Sequence, residues 1–389
     1  MSQSTENHTA REMSRRGFLK LAAGSVFGAA MMGMPHLSMA AAAAPAKRIL
    51  KPVALNAIPQ DAIKAANESA FIEQCWNQVL EAAGSIESTS LKNAVLSLLR
   101  NPVPTFMVRY ASEASRRDLY ARLLAEGLVD PSRIDAAHIL PPFSGRVQAF
   151  KTAPGSGYGS HHPYPGGLAS HVSCNLHITN YICQTYREVF LYQPDRDIAM
   201  AAQALHDIAK PFVFQWQKDG SSLKEYTIAG QGAHHVISLA EVIYRGFPAE
   251  EVVAQACAHG APTSKKDEQG VVSWLKAAAI MAGKDPVAYG LLNRTGDGLP
   301  APHHQEGYIV HLGDHDWVLS SPAAQKSVTM LKKMAREAYG MSDSDLSGAR
   351  FNHFRNYVGA QLSYMFLNHL EAGEKGYQDA LAQVRSVIR

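Results

Sequence analysis

Apolar residues three and four positions apart recur along most of the chain beyond residue 58, which is the period of amphipathic helices. The pattern predicts helices over 59–84, 87–100 and 104–128, with Pro102 and Pro104 parting the last two. Residues 130–167, carrying Pro141-Pro142 and Pro163-Tyr-Pro-Gly-Gly167, read as loop. The helical period then returns over 168–190, 197–210, 231–246, 249–259 and 270–284. Breakers stand at the ends of these runs: Pro211 after Lys210, Gly246 before Pro248, Gly260 after His259 and Pro286 after Asp285. Tyr308–Leu312 and Asp316–Ser320, around Gly313-Asp314, read as a small β-hairpin. Helices over 323–340, 348–371 and 374–388 close the chain. The expected class is therefore all-α, a helical bundle with N- and C-terminal helical extensions and one small β-hairpin.

The segment 1–45 reads as an address rather than as part of that bundle. Ser14-Arg15-Arg16-Gly17-Phe18-Leu19-Lys20 resembles a twin-arginine export motif, a weakly apolar stretch runs from Leu21 to Met34, and Ser38-Met39-Ala40 offers a small-residue cleavage site. The apolar run is shorter than the roughly 20 residues a spanning helix needs, so a signal peptide is expected in place of an anchor. The implied destination is the periplasm or the exterior, reached folded through the twin-arginine machinery. Removing 1–45 takes the formal net charge from +3 to +1. No basic stripe is left to suggest nucleic acid or an anionic membrane surface. Cys75, Cys174, Cys183 and Cys257 contain no CxxC spacing, and Cys174 and Cys183 share a helix too far apart to bridge, so thiols are expected.

Of the 17 histidines, helical phase selects a few that point inward. His171 shares a face with Leu168, Cys174 and Ile178. His206 lies over Ala199 and Ala202, small residues that leave room for something bulky, with Asp207 about 100° around the same helix. His235 is in phase with Leu239, Val242 and Ile243, and His234 with Ser238, Glu241 and Arg245, so His235 is expected in the core and His234 in solvent. His259 follows Val252 and Ala256, and Asp285 follows Trp274, Ala278 and Met281. A carboxylate buried among imidazoles costs heavily unless a cation offsets it, so this set predicts a divalent-metal site. Taken singly, each residue has a plainer reading, as a satisfied core histidine or, for Asp285, a turn residue. His303, His304, His311, Asp314, His315 and Asp316 are expected at an exposed hairpin tip.

The order His…His-Asp…His…His…Asp resembles the HD-domain superfamily of metal-dependent hydrolases. The match is carried by His162-Pro-Tyr-Pro-Gly-Gly-Leu-Ala-Ser-His171, Ala204-Leu-His-Asp-Ile-Ala-Lys-Pro211, Gly230-Gln-Gly-Ala-His-His235 and Ala258-His-Gly260, and is nearest to the exoribonuclease-type branch. The resemblance implies an HD metal-binding core over 161–290, an N-terminal helical region over 46–160, and a C-terminal hairpin and helices packed on the core over 291–389. It implies that His171, His206 and Asp285 hold one ion, that His235 and His259 hold a second, and that Asp207 bridges them. The chain departs from that branch at Ala258, where relatives often carry a second His, and lacks the Gly-Tyr-Pro signature of cyclic-dinucleotide phosphodiesterases.

One or two divalent ions (Mn, Fe, Zn or Mg) would activate water toward a phosphoester. Lys210, one turn beyond Asp207, would meet a substrate anion, and His161 and His162 would line the mouth or serve as acid to the leaving group; the alternatives are a helix-terminal cation and exposed loop histidines. The same ligands would also suit an HD-fold di-iron oxygenase acting on a small molecule, or a non-catalytic binding module that kept the scaffold.

Overall fold

The computed structural model describes residues 52–301 and 305–389. The expected export segment and the His303-His304 pair lie outside these residues. Nearly all the regular structure of the described residues is helical, and among them no helix is long and apolar enough to cross a membrane.

The first helices are α1 (Ala62–Asn67), α2 (Ala70–Gly84), α3 (Thr89–Arg100) and α4 (Glu113–Ala125). The expected helix over 59–84 is broken at Ser69, whose hydroxyl caps α2 by accepting from Ile72 N and also donates to the carbonyl of Ala360. A 3-10 turn, Thr105–Tyr110, replaces the start of the helix expected over 104–128. The central set is α5 (Gly167–Phe190), α6 (Arg196–Leu205), the short α7 (Lys210–Val213), α8 (Ala233–Arg245), α9 (Ala249–Ala256) and α10 (Lys265–Ala282). Asp195 and Ser264 cap α6 and α10, and Gly246 and Gly283 end α8 and α10 in the left-handed region.

After α10 come α11 (Glu306–Gly313), α12 (Trp317–Glu337), α13 (Asp343–Leu346), α14 (Ala349–Leu362), α15 (Tyr364–Glu371) and α16 (Tyr377–Arg385). Residues 308–320 thus form the end of α11, a turn over 314–316 and the start of α12, not the expected hairpin. The observed hairpin lies elsewhere, pairing β1 (Thr227–Ile228) antiparallel to β2 (Gln231–Gly232) just before α8. Tertiary packing explains the difference. Ile309 and Val310 bury against Ala199, Ala202, Ala254 and Ala258, so α11 fills the room left by the small residues of α6 and α9. A Cβ on Gly313 would stand 2.0 Å from Thr179 Oγ1 and 2.4 Å from Gln203 Oε1, so only glycine lets the end of α11 sit this close to α5 and α6.

In the centre of the fold α5 packs on α2 and α6, α8 on α10, and α9 on α6 and α11. The four cysteines are free thiols, three of them buried, as expected, while Cys174 is exposed.

Glu251 on α9 is fully buried, and neither carboxylate oxygen has a hydrogen-bond partner. Burial pushes its pKa from the ordinary 4.5 up to about 8, so the folded protein keeps this proton at pH values where the unfolded chain loses it. The stability gained is complete below pH 4.5, declines as pH rises, and is lost on passing the folded value. Glu251→Gln should flatten this dependence: between pH 5 and 8.5 the melting temperature of the wild type should fall several degrees further than that of the variant. Parallel melting curves would contradict the assignment.

Candidate metal centre

Four side-chain atoms converge between α5, α6 and the end of α11. His171 Nε2 lies 3.2 Å from Asp207 Oδ2 and 3.1 Å from Asp314 Oδ1, and His206 Nε2 lies 3.1 and 3.2 Å from the same two oxygens. The second oxygens of both carboxylates face another pair of imidazoles. His259 Nε2 is 3.4 Å from Asp314 Oδ2 and 3.8 Å from Asp207 Oδ1, and His234 Nε2 is 3.4 Å from Asp207 Oδ1. Two donor groups therefore share Asp207 and Asp314 as common walls.

Three of the four imidazoles are turned by a partner on the other nitrogen, while His259 Nδ1 is buried without one. His171 Nδ1 is 3.0 Å from Asp316 Oδ1, His206 Nδ1 donates to the carbonyl of Gln203 at 2.8 Å, and His234 Nδ1 is 2.7 Å from Glu225 Oε2. These contacts place the proton on Nδ1 and leave the Nε2 lone pair facing the carboxylates. Asn175 Nδ2 donates to Asp314 Oδ1 at 2.9 Å, and Lys210 Nζ stands 2.5 Å from Asp207 Oδ2 while also donating to the carbonyl of Gly155.

Asp207 and Asp314 are buried. Burial would raise their pKa values, but His206, His171 and, for Asp207, Lys210 hold both well below the usual carboxylate range. The reciprocal pull overcomes burial at His171, which stays well above its ordinary value, and lifts His206 to about 9. The carboxylates thus demand positive charge.

A divalent cation fits that demand. Cation–ligand bonds of about 2.0–2.1 Å give ligand–ligand edges of about 2.9–3.4 Å in tetrahedral or octahedral shells, and the first group's spacings fall in that range. His206 Nε2, His234 Nε2 and Asp207 Oδ1 are buried without a hydrogen-bond partner, as lone pairs awaiting a cation would be. The buried groups His171/His206/Asp207, His206/His259/Asp314 and Asp207/His234/His259 could each hold a metal ion.

The structure brings together His171, His206, Asp207 and His259 of the expected set. It does not bring in Asp285 or His235. Asp285 is exposed, and its Oδ1 accepts from Ala288 N at 2.7 Å, the turn role its place before Pro286 allows. The missing carboxylate is Asp314, delivered by α11. Its signal was helical spacing, since Gly307, Val310 and Asp314 follow i, i+3, i+7, but the β-like run Tyr308–Leu312 masked it. His235 is buried one layer behind the centre, its Nε2 on the carbonyl of Ala256 at 3.1 Å and its ring against His259 and Trp274. His235 is in the core, as its phase predicts, but His234 is buried too, because the polar face of α8 meets protein and not solvent. Ser238 accepts from Ala209 N and donates to the carbonyl of His234, and Glu241 accepts from Phe106 N and Thr105 Oγ1. Asp316, expected at an exposed tip, instead joins His171 to His162.

A cleft of about 1090 Å³ opens onto this centre, with Lys210, His234, His259, Asp314 and Trp317 in its walls.

Comparison with known proteins adds one finding. A 100-residue stretch is 32% identical to the dihydroneopterin 2',3'-cyclic phosphate phosphodiesterase of Methanocaldococcus jannaschii, covering 26% of this chain and 39% of that protein. The chain thus spans about two fifths of the length of the curated relative it matches. No family model and no solved structure matches the chain. The protein is therefore similar, over part of its length, to a phosphodiesterase, and carries buried His/Asp groups able to hold a metal.

If His234 faces the cation and His235 only packs, His234→Ala should lower bound manganese by about one ion per chain, while His235→Asn should keep the metal content and lower the melting temperature. Asp314→Asn should remove most of the metal and Asp285→Asn none. Metal loss confined to the His235 and Asp285 variants would overturn the assignment; elemental analysis of the purified variants decides.

Proposed function

We propose that the protein is an HD-type, metal-dependent hydrolase of a phosphoester. The observation that carries this reading is the pair of buried carboxylates, both presenting one oxygen to His171 and His206, and presenting the other to His234 and His259 from Asp207 and to His259 from Asp314. His171, His206, Asp207 and Asp314 would hold one divalent ion. His234 and His259, with the remaining oxygens of Asp207 and Asp314, would hold a second. Such ions supply Lewis-acid stabilisation of the charge that builds on phosphoryl oxygens.

The chain's own residues do the rest. Lys210 keeps Asp207 ionised by standing 2.5 Å from Oδ2 inside a buried site, where its ammonium offsets the carboxylate charge. Asp316 and Glu225 hold the tautomers of His171 and His234. The cleft admits a substrate far larger than phosphate alone, in keeping with a phosphoester that carries an organic group. Similarity to a phosphodiesterase supports hydrolysis over O₂-dependent oxidation or simple binding. The twin-arginine motif at Ser14–Lys20 supports export of the folded, loaded protein.

Manganese-loaded protein should hydrolyse bis-p-nitrophenyl phosphate and lose that activity on chelation. Asp207→Ala should bind almost no metal and fall at least 100-fold in rate. Full metal content in that variant, or hydrolysis indifferent to chelation, would reject the reading. Replacing Arg15 and Arg16 with Lys should strand the protein in the cytoplasm, and undiminished export of that variant would count against the address.

A further inference from the structure

His161 and His162 are the two loop histidines expected at the mouth of the centre, with His162 expected as the acid. The structure spends both nitrogens of that ring inside the protein. Nε2 lies 2.7 Å from Asp316 Oδ2, and Nδ1 lies 3.0 Å from the hydroxyl of Tyr164, which in turn lies 2.9 Å from Ser170 Oγ. The side chain is only 7% exposed. His162 braces Asp316, which braces His171, and it has no nitrogen left for a substrate.

The backbone at His162 is unusual. Its φ is 44°, the left-handed region that costs a non-glycine residue energy and persists only where the surroundings enforce it. They do so here: the His162 carbonyl accepts from Gly155 N and Tyr164 N, both at 2.9 Å, and a Cβ on Gly167 would stand 1.9 Å from that oxygen. The left-handed turn sends two consecutive histidines different ways. His162 sinks onto Asp316, and His161 lies along the cleft beside Lys210, with its ring centroid 4.9 Å from that of His171.

His161 Nδ1 lies 3.1 Å from Ser160 Oγ, and among the described residues no carboxylate pairs with the ring. Nδ1 faces that hydroxyl, so Nε2 is the ring nitrogen left for the cleft.

We propose that His161 is the residue that contacts the substrate, its Nε2–H donating a hydrogen bond to a non-bridging oxygen of the phosphoester. The strained turn at His162 serves to present it. This inference rests on the phosphoester reading. His161 makes and breaks no bond; it holds the phosphoryl group against the centre.

Inorganic phosphate serves as the probe, with binding to the manganese-loaded full chain measured by calorimetry for the wild type, His161→Ala and His161→Gln. Metal content and melting temperature are recorded alongside. His161→Ala should bind phosphate 10- to 30-fold more weakly with manganese content unchanged, and His161→Gln, which keeps an N–H donor, should recover part of the loss. Wild-type affinity in His161→Ala would overturn the proposal, as would manganese loss in both variants, which would place His161 among the groups that build the centre. Absence of phosphate binding in the loaded wild type would overturn the hydrolase reading itself, and the proposal with it.

Discussion

Two carboxylates buried side by side are the constraint around which this molecule is built. Asp207 and Asp314 lie in a protein interior where an uncompensated negative charge is strongly disfavoured, and each needs positive charge within hydrogen-bonding reach. Lys210 supplies one unit, against Asp207 alone. The imidazoles around them supply lone pairs, or protons at the cost of those lone pairs. A pair of divalent ions satisfies carboxylates and imidazoles together, whereas protons satisfy only the carboxylates.

That requirement explains features of the fold that packing alone leaves arbitrary. Helix α11 must carry Asp314 to α5 and α6, and the alanines of α6 and α9, together with Gly313, let it approach. The junction between α11 and α12 then contributes a second acid, Asp316, which orients His171 from behind and anchors His162. One short turn thus supplies both a candidate ligand and the brace for another. The loop before α5 is tied to the same acid, so cleft wall and centre are mechanically joined. These partners raise the energetic stake of the site: a polar network of this kind rigidifies when complete and destabilises when one member is lost.

Much of this was legible in the sequence. The helical period located the central helices to within a few residues, and the adjacency of His206 and Asp207, with His171 and His259 on apolar faces, was enough to place four residues in one centre. What failed did so for tertiary reasons. His234 and His235 were separated by assuming that a polar helix face meets water, but Ser238 and Glu241 on that face are buried and bonded to other segments. Asp314 was hidden because Tyr-Ile-Val-His-Leu has the residue types of a strand, and nothing local reveals that neighbouring helices will impose a helix on it. Asp285 was selected by its phase with Trp274, Ala278 and Met281 and by the resemblance, but it lies past the end of α10 in an exposed turn before Pro286.

The central claim is that Asp207 and Asp314 together are shared between two cations. It is tested most directly by anomalous diffraction from crystals of the manganese-loaded protein, collected at the manganese edge. The account predicts two peaks flanking the two carboxylates, one beside His171 and His206 and the other beside His234 and His259. A lone peak near Asp285, or none between Asp207 and Asp314, would contradict it.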